Sequence, residues 1–184
     1  MRIIAGRFRG TALASVGKGD PAAHLRPTSD RVRESLFSML THRDVIRGAR
    51  VLDLFAGTGA LGLEALSRGA KEVCFVENGR AGQRLISENI EKLRVEAETT
   101  LMRNDATRLG PWPSAPFDLV FLDPPYGKGL GAQALAALRD NGWLSPGATI
   151  VWEENTPMQA PDGFEKLDSR RYGDTHVTLL SGPA

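Results

Sequence analysis

From Arg50 to Glu154 short apolar runs alternate with stretches whose apolar residues recur every three or four positions, which predicts parallel strands joined by helices. The strand candidates are RVLDLF (50–55), EVCFVE (72–77), TTLMRND (99–105), FDLVFLD (117–123) and GATIVWEE (147–154). Helices are expected at 59–69, ended by Gly69, at 81–93, with Leu85, Ile86, Ile90 and Leu93 on one face, and at 131–142, carrying Leu135 and Leu138. The segment GPWPSAP is too rich in proline to be more than a loop. The tail, 164–181, reads as two strands around a Gly173-Asp174 turn, so an antiparallel pair closes the parallel sheet. Ahead of Arg50, glycine and proline punctuate short segments until a helix over 29–43. Thr28, Ser29 and Asp30 are its cap candidates, and Val32, Leu36, Met39 and Leu40 its packed face.

With 184 residues, 41% apolar and 24% charged, the chain fits one globular domain with a small appendage. No apolar run approaches bilayer length and MRIIAGRFRG lacks the features of a secretory leader, so a cytoplasmic protein without a membrane partner is expected. Cys74, the sole cysteine, reads as a buried small hydrophobe, and His24, His42 and His176 give no metal-ligand spacing, so no metal is expected. The net charge of +1 is unevenly placed: residues 1–50 hold ten Lys/Arg against four Asp/Glu. That excess suits a polyanionic partner and equally a solvated surface.

DLFAGTGALG places Gly57, Gly59 and Gly62 after a strand and at the start of a helix. Glycines there let the backbone turn with positive φ and let a ligand approach closely, the pattern of a nucleotide-cofactor site. Asp53 beside this loop repels a pyrophosphate but attracts the ammonium of an amino-acid moiety, which favours S-adenosylmethionine (SAM) over a dinucleotide. Glu77 ends the second strand, where a carboxylate can accept ribose hydroxyls. Asp105 is placed for an adenine amino group, or as a plain loop cap.

FLDPPYG poses the sharper question, because two prolines end a buried strand. In open α/β sheets ligands bind at the carboxyl ends of the strands, and that rim gathers Asp53, Glu77, Asp105 and Asp123. Asp123 and the Pro124 carbonyl would accept hydrogen bonds from an exocyclic base amine, localising its lone pair for attack on a sulfonium methyl, while Tyr126 stacks on the base.

The pairing of DLFAGTGALG with DPPY resembles the signature of amino-directed SAM-dependent methyltransferases. Together with MRIIAGRFRG, LRPTSDRVRESLFSML and RRYGDTHV, the whole chain resembles the RsmD family of bacterial 16S rRNA guanine-N2 methyltransferases. The resemblance implies an α/β fold: a Rossmann-like class I methyltransferase with a seven-stranded, mostly parallel sheet and a C-terminal antiparallel hairpin. Residues 1–28 would form a basic hairpin extension, and residues 29–184, which open with the helix, the methyltransferase domain. Asp53, Phe55, Gly57, Gly59, Glu77, Asn78, Asp105 and Ala106 would hold SAM, covered by Arg26, Thr28 and Arg31. Asp123, Pro124, Pro125 and Tyr126 would take the target base. Arg7, Arg9, Lys18, Arg170 and Arg171 would contact RNA phosphates, with a monomer acting on 16S rRNA in small-subunit particles. A folded target must expose or flip its guanine. One departure is ENGRAGQRL, where a bulkier apolar residue is expected near Gly79 to Gly82 to flank the adenine.

Adenine-N6 methylation is the rival chemistry, since DPPY can accept from either amine, but it is the weaker expectation because about thirty residues follow the fifth strand and no obvious target-recognition domain is among them. A non-catalytic RNA-binding assembly protein is the rival from another class.

Overall fold

The computed structural model describes residues 1–17 and 28–184. Helix α1 (Asp30–His42) precedes β1 (Arg50–Leu54), α2 (Ala60–Ser67), β2 (Glu72–Val76), α3 (Arg80–Leu93), β3 (Thr99–Met102), β4 (Phe117–Leu122), α4 (Leu130–Asp140), β5 (Leu144–Glu154), β6 (Glu165–Tyr172) and β7 (Thr175–Ser181). The strands form one seven-stranded sheet among the described residues, in the order β3-β2-β1-β4-β5-β7-β6. The first five are parallel, and β7 inserts antiparallel between β5 and β6.

Side chains alternate faces along each strand, so the parallel strands send one residue set to each layer. Val51, Val73, Phe75, Leu119, Phe121 and Val151 join α1, α2 and α3 in one apolar cluster. Leu52, Leu54, Cys74, Val76, Val120, Leu122, Ile150 and Trp152 meet α4 in the other. Cys74 is a buried, free thiol, as its setting predicts.

Two strand limits differ from the sequence expectation. Strand β3 stops at Met102, because Asp105 caps a 3-10 turn over Ala106–Arg108 by accepting from Thr107 N at 2.9 Å. Strand β5 starts at Leu144, which pairs with Phe117 ahead of a register shift in β4. On α1 the cap is Ser29, whose Oγ accepts from Val32 N. Its buried residues are Arg33, Leu36, Phe37, Met39 and Leu40, whereas Val32 is only half-buried. Burial of each large apolar side chain contributes about 1.5–3 kcal/mol.

Arg33 lies in the apolar stripe of α1 because a buried anion waits there. Glu64 of α2 and Arg33 are both fully buried, 3.5 Å apart, and Glu64 also accepts from Arg68 Nε, Ile4 N and Ala5 N. The amino-terminal residues thereby clip onto α2. They form a small hairpin with an Arg2–Ala12 bridge, and Ile3 and Leu13 enter the first apolar cluster. Gly6 is indispensable to this docking: its φ is +85°, and a Cβ there would lie 1.8 Å from the Ser67 carbonyl oxygen.

Candidate active site

Asp53, Glu77, Asp123 and Glu153 follow the alternation that puts Val51, Phe75, Phe121 and Val151 on the α1–α2–α3 layer, so all four reach the same side of the carboxyl rim. Glu154 is the next residue, on the opposite face. Among the described residues none of these five carboxylates forms an ion pair. Burial, with a smaller contribution from the Glu77 charge, pushes the Asp53 carboxyl up to about 8. Asp123 is also raised, by loss of solvation first and then by the charges of Glu153, Asp53 and Glu154, although part of its surface still meets solvent.

The glycine loop is held by two of these acids. Asp53 Oδ2 accepts from Gly62 N at 2.9 Å, in the first turn of α2. Glu77 Oε2 accepts from Gly57 N and Oε1 from Gly79 N, each at 2.8 Å. Phe55, Gly57 and Gly59 all have positive φ, at 55°, 59° and 78°. For half-buried Phe55 this is a strained conformation of the kind that collects at ligand sites. The small residues of ENGRAGQRL have a packing cause: a Cβ on Gly82 would lie 2.8 Å from Glu77 Cγ and 2.9 Å from the Gly57 carbonyl oxygen. A bulkier residue there would displace Glu77.

Pro124 is buried behind Asp123, while Pro125 and Tyr126 are exposed. The Tyr126 ring lies at the surface and its hydroxyl donates to Glu153 Oε1 at 3.0 Å. Thr28 Oγ1 donates to Glu153 Oε2 at 3.0 Å. Gly127 N donates to Glu154 Oε2 at 3.3 Å, which pins the loop after DPPY to β5. Neither glutamate figures among the site residues drawn from the sequence. The available signal was an acid pair ending the fifth strand, on the rim that already held the other acids.

The family model described as Conserved hypothetical protein 95 matches residues 1–181 of this arrangement. The chain belongs to this family, the RsmD family. Ribosomal RNA small subunit methyltransferase D of Haemophilus influenzae is 37% identical over 178 residues, covering 94% of this chain and 89% of the relative. Its namesake from Escherichia coli strain K12 is 38% identical over 161 residues, covering 88% and 78%. The solved structure of Escherichia coli yhhF matches with a TM-score of 0.84 at 36% identity, over 100% of this chain and 98% of that one. The fold of this RsmD-family chain is the Rossmann-like class I methyltransferase fold.

The remaining candidates of this RsmD-family site are dispersed. Asp105 sits at the β3 end of the rim with Oδ1 engaged by the Thr107 N–H and hydroxyl; these bonds hold its carboxyl below the ordinary range. Asn78 is exposed beside Glu77, and Ala106 is buried. Arg31 lines a cleft of about 330 Å³ with Arg2, Arg9, Asp30 and Glu34, in which no glycine-loop residue takes part. Arg7 pairs with Glu98 at 2.6 Å, just ahead of β3 and therefore at the amino end of the sheet, away from Asp123. Arg170 and Arg171 lie at the rim end of β6: both are exposed and sit across β7 from Glu153 and Glu154. Lys18 and Arg26 lie outside the described residues.

Proposed function

We propose that the protein methylates the exocyclic N2 amine of a guanine in small-subunit rRNA, using SAM. The carrying observation is that Asp53, Glu77, Asp123 and Glu153, gathered around the glycine loop and DPPY, have no ion-pair partner among the described residues. A dinucleotide would bring a pyrophosphate into that acidic rim; a sulfonium and an ammonium bring the complementary charge. The positive-φ cradle from Phe55 to Gly59 and the acids Asp53 and Glu77 fit SAM, and the relatives' names support small-subunit rRNA as the substrate.

Bound SAM supplies an electrophilic methyl group. Glu77 keeps a free lone pair on each oxygen for the ribose hydroxyls, since each currently accepts one N–H. Asp105 Oδ2, free of the Thr107 contacts and 4.0 Å from the exposed Arg108 Nε, would receive the adenine amine. Asp123 accepts a hydrogen bond from the guanine N2 amine, and its raised pKa equips a carboxylate oxygen to receive the proton that the amine sheds. The Pro124 carbonyl fixes the second amine hydrogen and the Tyr126 face carries the base. Arg170 and Arg171 extend the site toward the RNA backbone.

The test is to incubate the protein with labelled SAM and, in parallel, unmodified small-subunit particles, naked rRNA and DNA, then to identify the methylated nucleoside by mass spectrometry. N2-methylguanosine from rRNA or particle is the expected product. N6-methyladenine would overturn the base assignment, and no product on any substrate would overturn the enzymatic reading.

A further inference from the structure

Glu153 is 5% exposed, carries no ion-pair partner among the described residues, and spends its two oxygens on two hydroxyls from distant parts of the chain. One is Thr28 Oγ1, at the entry to α1; the other is Tyr126 Oη, at the end of DPPY. Thr28 is free to do this because Ser29 supplies the α1 cap. An apolar residue at position 153 would fill the same space at lower desolvation cost, so burying a carboxylate there calls for a reason. Tyr126 supplies it: the residue is 38% exposed, and an exposed tyrosine otherwise rotates about two side-chain torsions. The bond to Glu153 anchors the hydroxyl end of that ring, so the ring no longer swings about its first torsion, and the Thr28 bond holds Glu153.

We infer that Glu153 is a positioning residue of the transfer site, holding the Tyr126 ring in its base-stacking orientation and tying it to the Thr28 hydroxyl. The inference rests on the proposed role of DPPY in taking the target base. Without the tether, Tyr126 must be ordered as the base arrives, which lowers kcat/KM for the RNA about five- to tenfold. SAM affinity stays within about twofold, because the tether meets the base side of the site.

The experiment measures kcat, the KM for small-subunit particles and the SAM Kd for Glu153→Leu, Glu153→Gln, Tyr126→Phe and Asp123→Ala. Gln offers an oxygen to one hydroxyl and an N–H to the other, so Glu153→Gln is expected to keep kcat/KM within about threefold of wild type. Glu153→Leu is expected to lose efficiency through the RNA KM, and Tyr126→Phe, which keeps the ring and its fold but lacks the hydroxyl, to lose it equally. Their double variant is expected to be no worse than either single one. Wild-type kcat/KM in Tyr126→Phe, with Asp123→Ala inactive, overturns the inference and leaves the function standing. Equal losses in Glu153→Gln and Glu153→Leu also overturn it, since they would point to the charge instead of the tether. Transfer by Asp123→Ala removes the DPPY reading and the inference with it.

Discussion

Replacing Glu77 with Gln preserves size and removes one acceptor from the clamp on the glycine loop. In the native site the two carboxylate oxygens accept from Gly57 N and Gly79 N at 2.8 Å, and the residue is 7% exposed. The Gln oxygen can serve one of these N–H groups; the other then faces an NH2 donor. An unpaired buried N–H costs about 1–3 kcal/mol. In a chain of 184 residues each kcal/mol moves Tm by about 2–4 °C, so a loss of about 2 kcal/mol lowers the ligand-free Tm by about 4–8 °C. SAM adds a second readout. At a SAM concentration of about 100 times the native Kd, binding stabilises the fold by about 2.7 kcal/mol. Loss of one charge-assisted ribose hydrogen bond weakens binding by about 10- to 100-fold, which cuts that gain to between about 0.4 and 1.4 kcal/mol. Thermal melts of both proteins with and without SAM test this. An unchanged ligand-free Tm would refute the clamp; a lowered Tm with the full SAM shift would leave Glu77 as a brace for the loop and remove its ribose contact.

Gly6→Ala is expected to destabilise the protein by more than about 2 kcal/mol, because a Cβ would strike the Ser67 carbonyl, whereas Gly10→Ala, with similar φ and open space, costs about 1–2 kcal/mol; equal denaturation midpoints would refute the docking role of Gly6. Asp53 predicts a pH dependence: its folded-state pKa is raised, so its contribution to stability is complete below about pH 3.8 and lost as pH rises through about 8. Urea unfolding of the ligand-free protein from about pH 5 to about pH 9 is therefore expected to show a decline that Asp53→Asn flattens, and parallel curves would contradict the raised pKa. Replacing Arg170 and Arg171 together with Ala is expected to reduce the salt dependence of rRNA binding by up to about two in log–log slope, and Arg7→Ala, already paired with Glu98, by less; the reverse order would move the RNA surface to the amino-terminal hairpin.

The strands and helices from Arg50 onward were legible because each is specified locally: period-two or unbroken apolar runs for strands, recurring apolar faces for helices, and glycines where φ must turn positive. The rim of acids followed from the same source. Once the strands are parallel, residues at their carboxyl ends share an edge, so the sequence alone groups Asp53, Glu77 and Asp123. Where local signals compete, sequence reading failed by a few residues: Asp105 could end a strand or cap a turn, and the Thr107 hydrogen bonds decided for the turn.

What tertiary structure alone decided are the partnerships between residues far apart in sequence. Arg33 occupies an apolar stripe because Glu64, 31 positions later, supplies the buried charge it needs. Glu153 belongs to the site because Thr28 and Tyr126 both point their hydroxyls at it, across 125 and 27 positions. Arg7, basic and near the amino terminus, is carried by the docking of Gly6 on Ser67 to the end of the sheet opposite Asp123. A charged residue's type fixes what it can bind, but its partner and its place relative to the rim depend on how whole elements pack. That packing is set by burial summed over the core, which no local window of sequence contains.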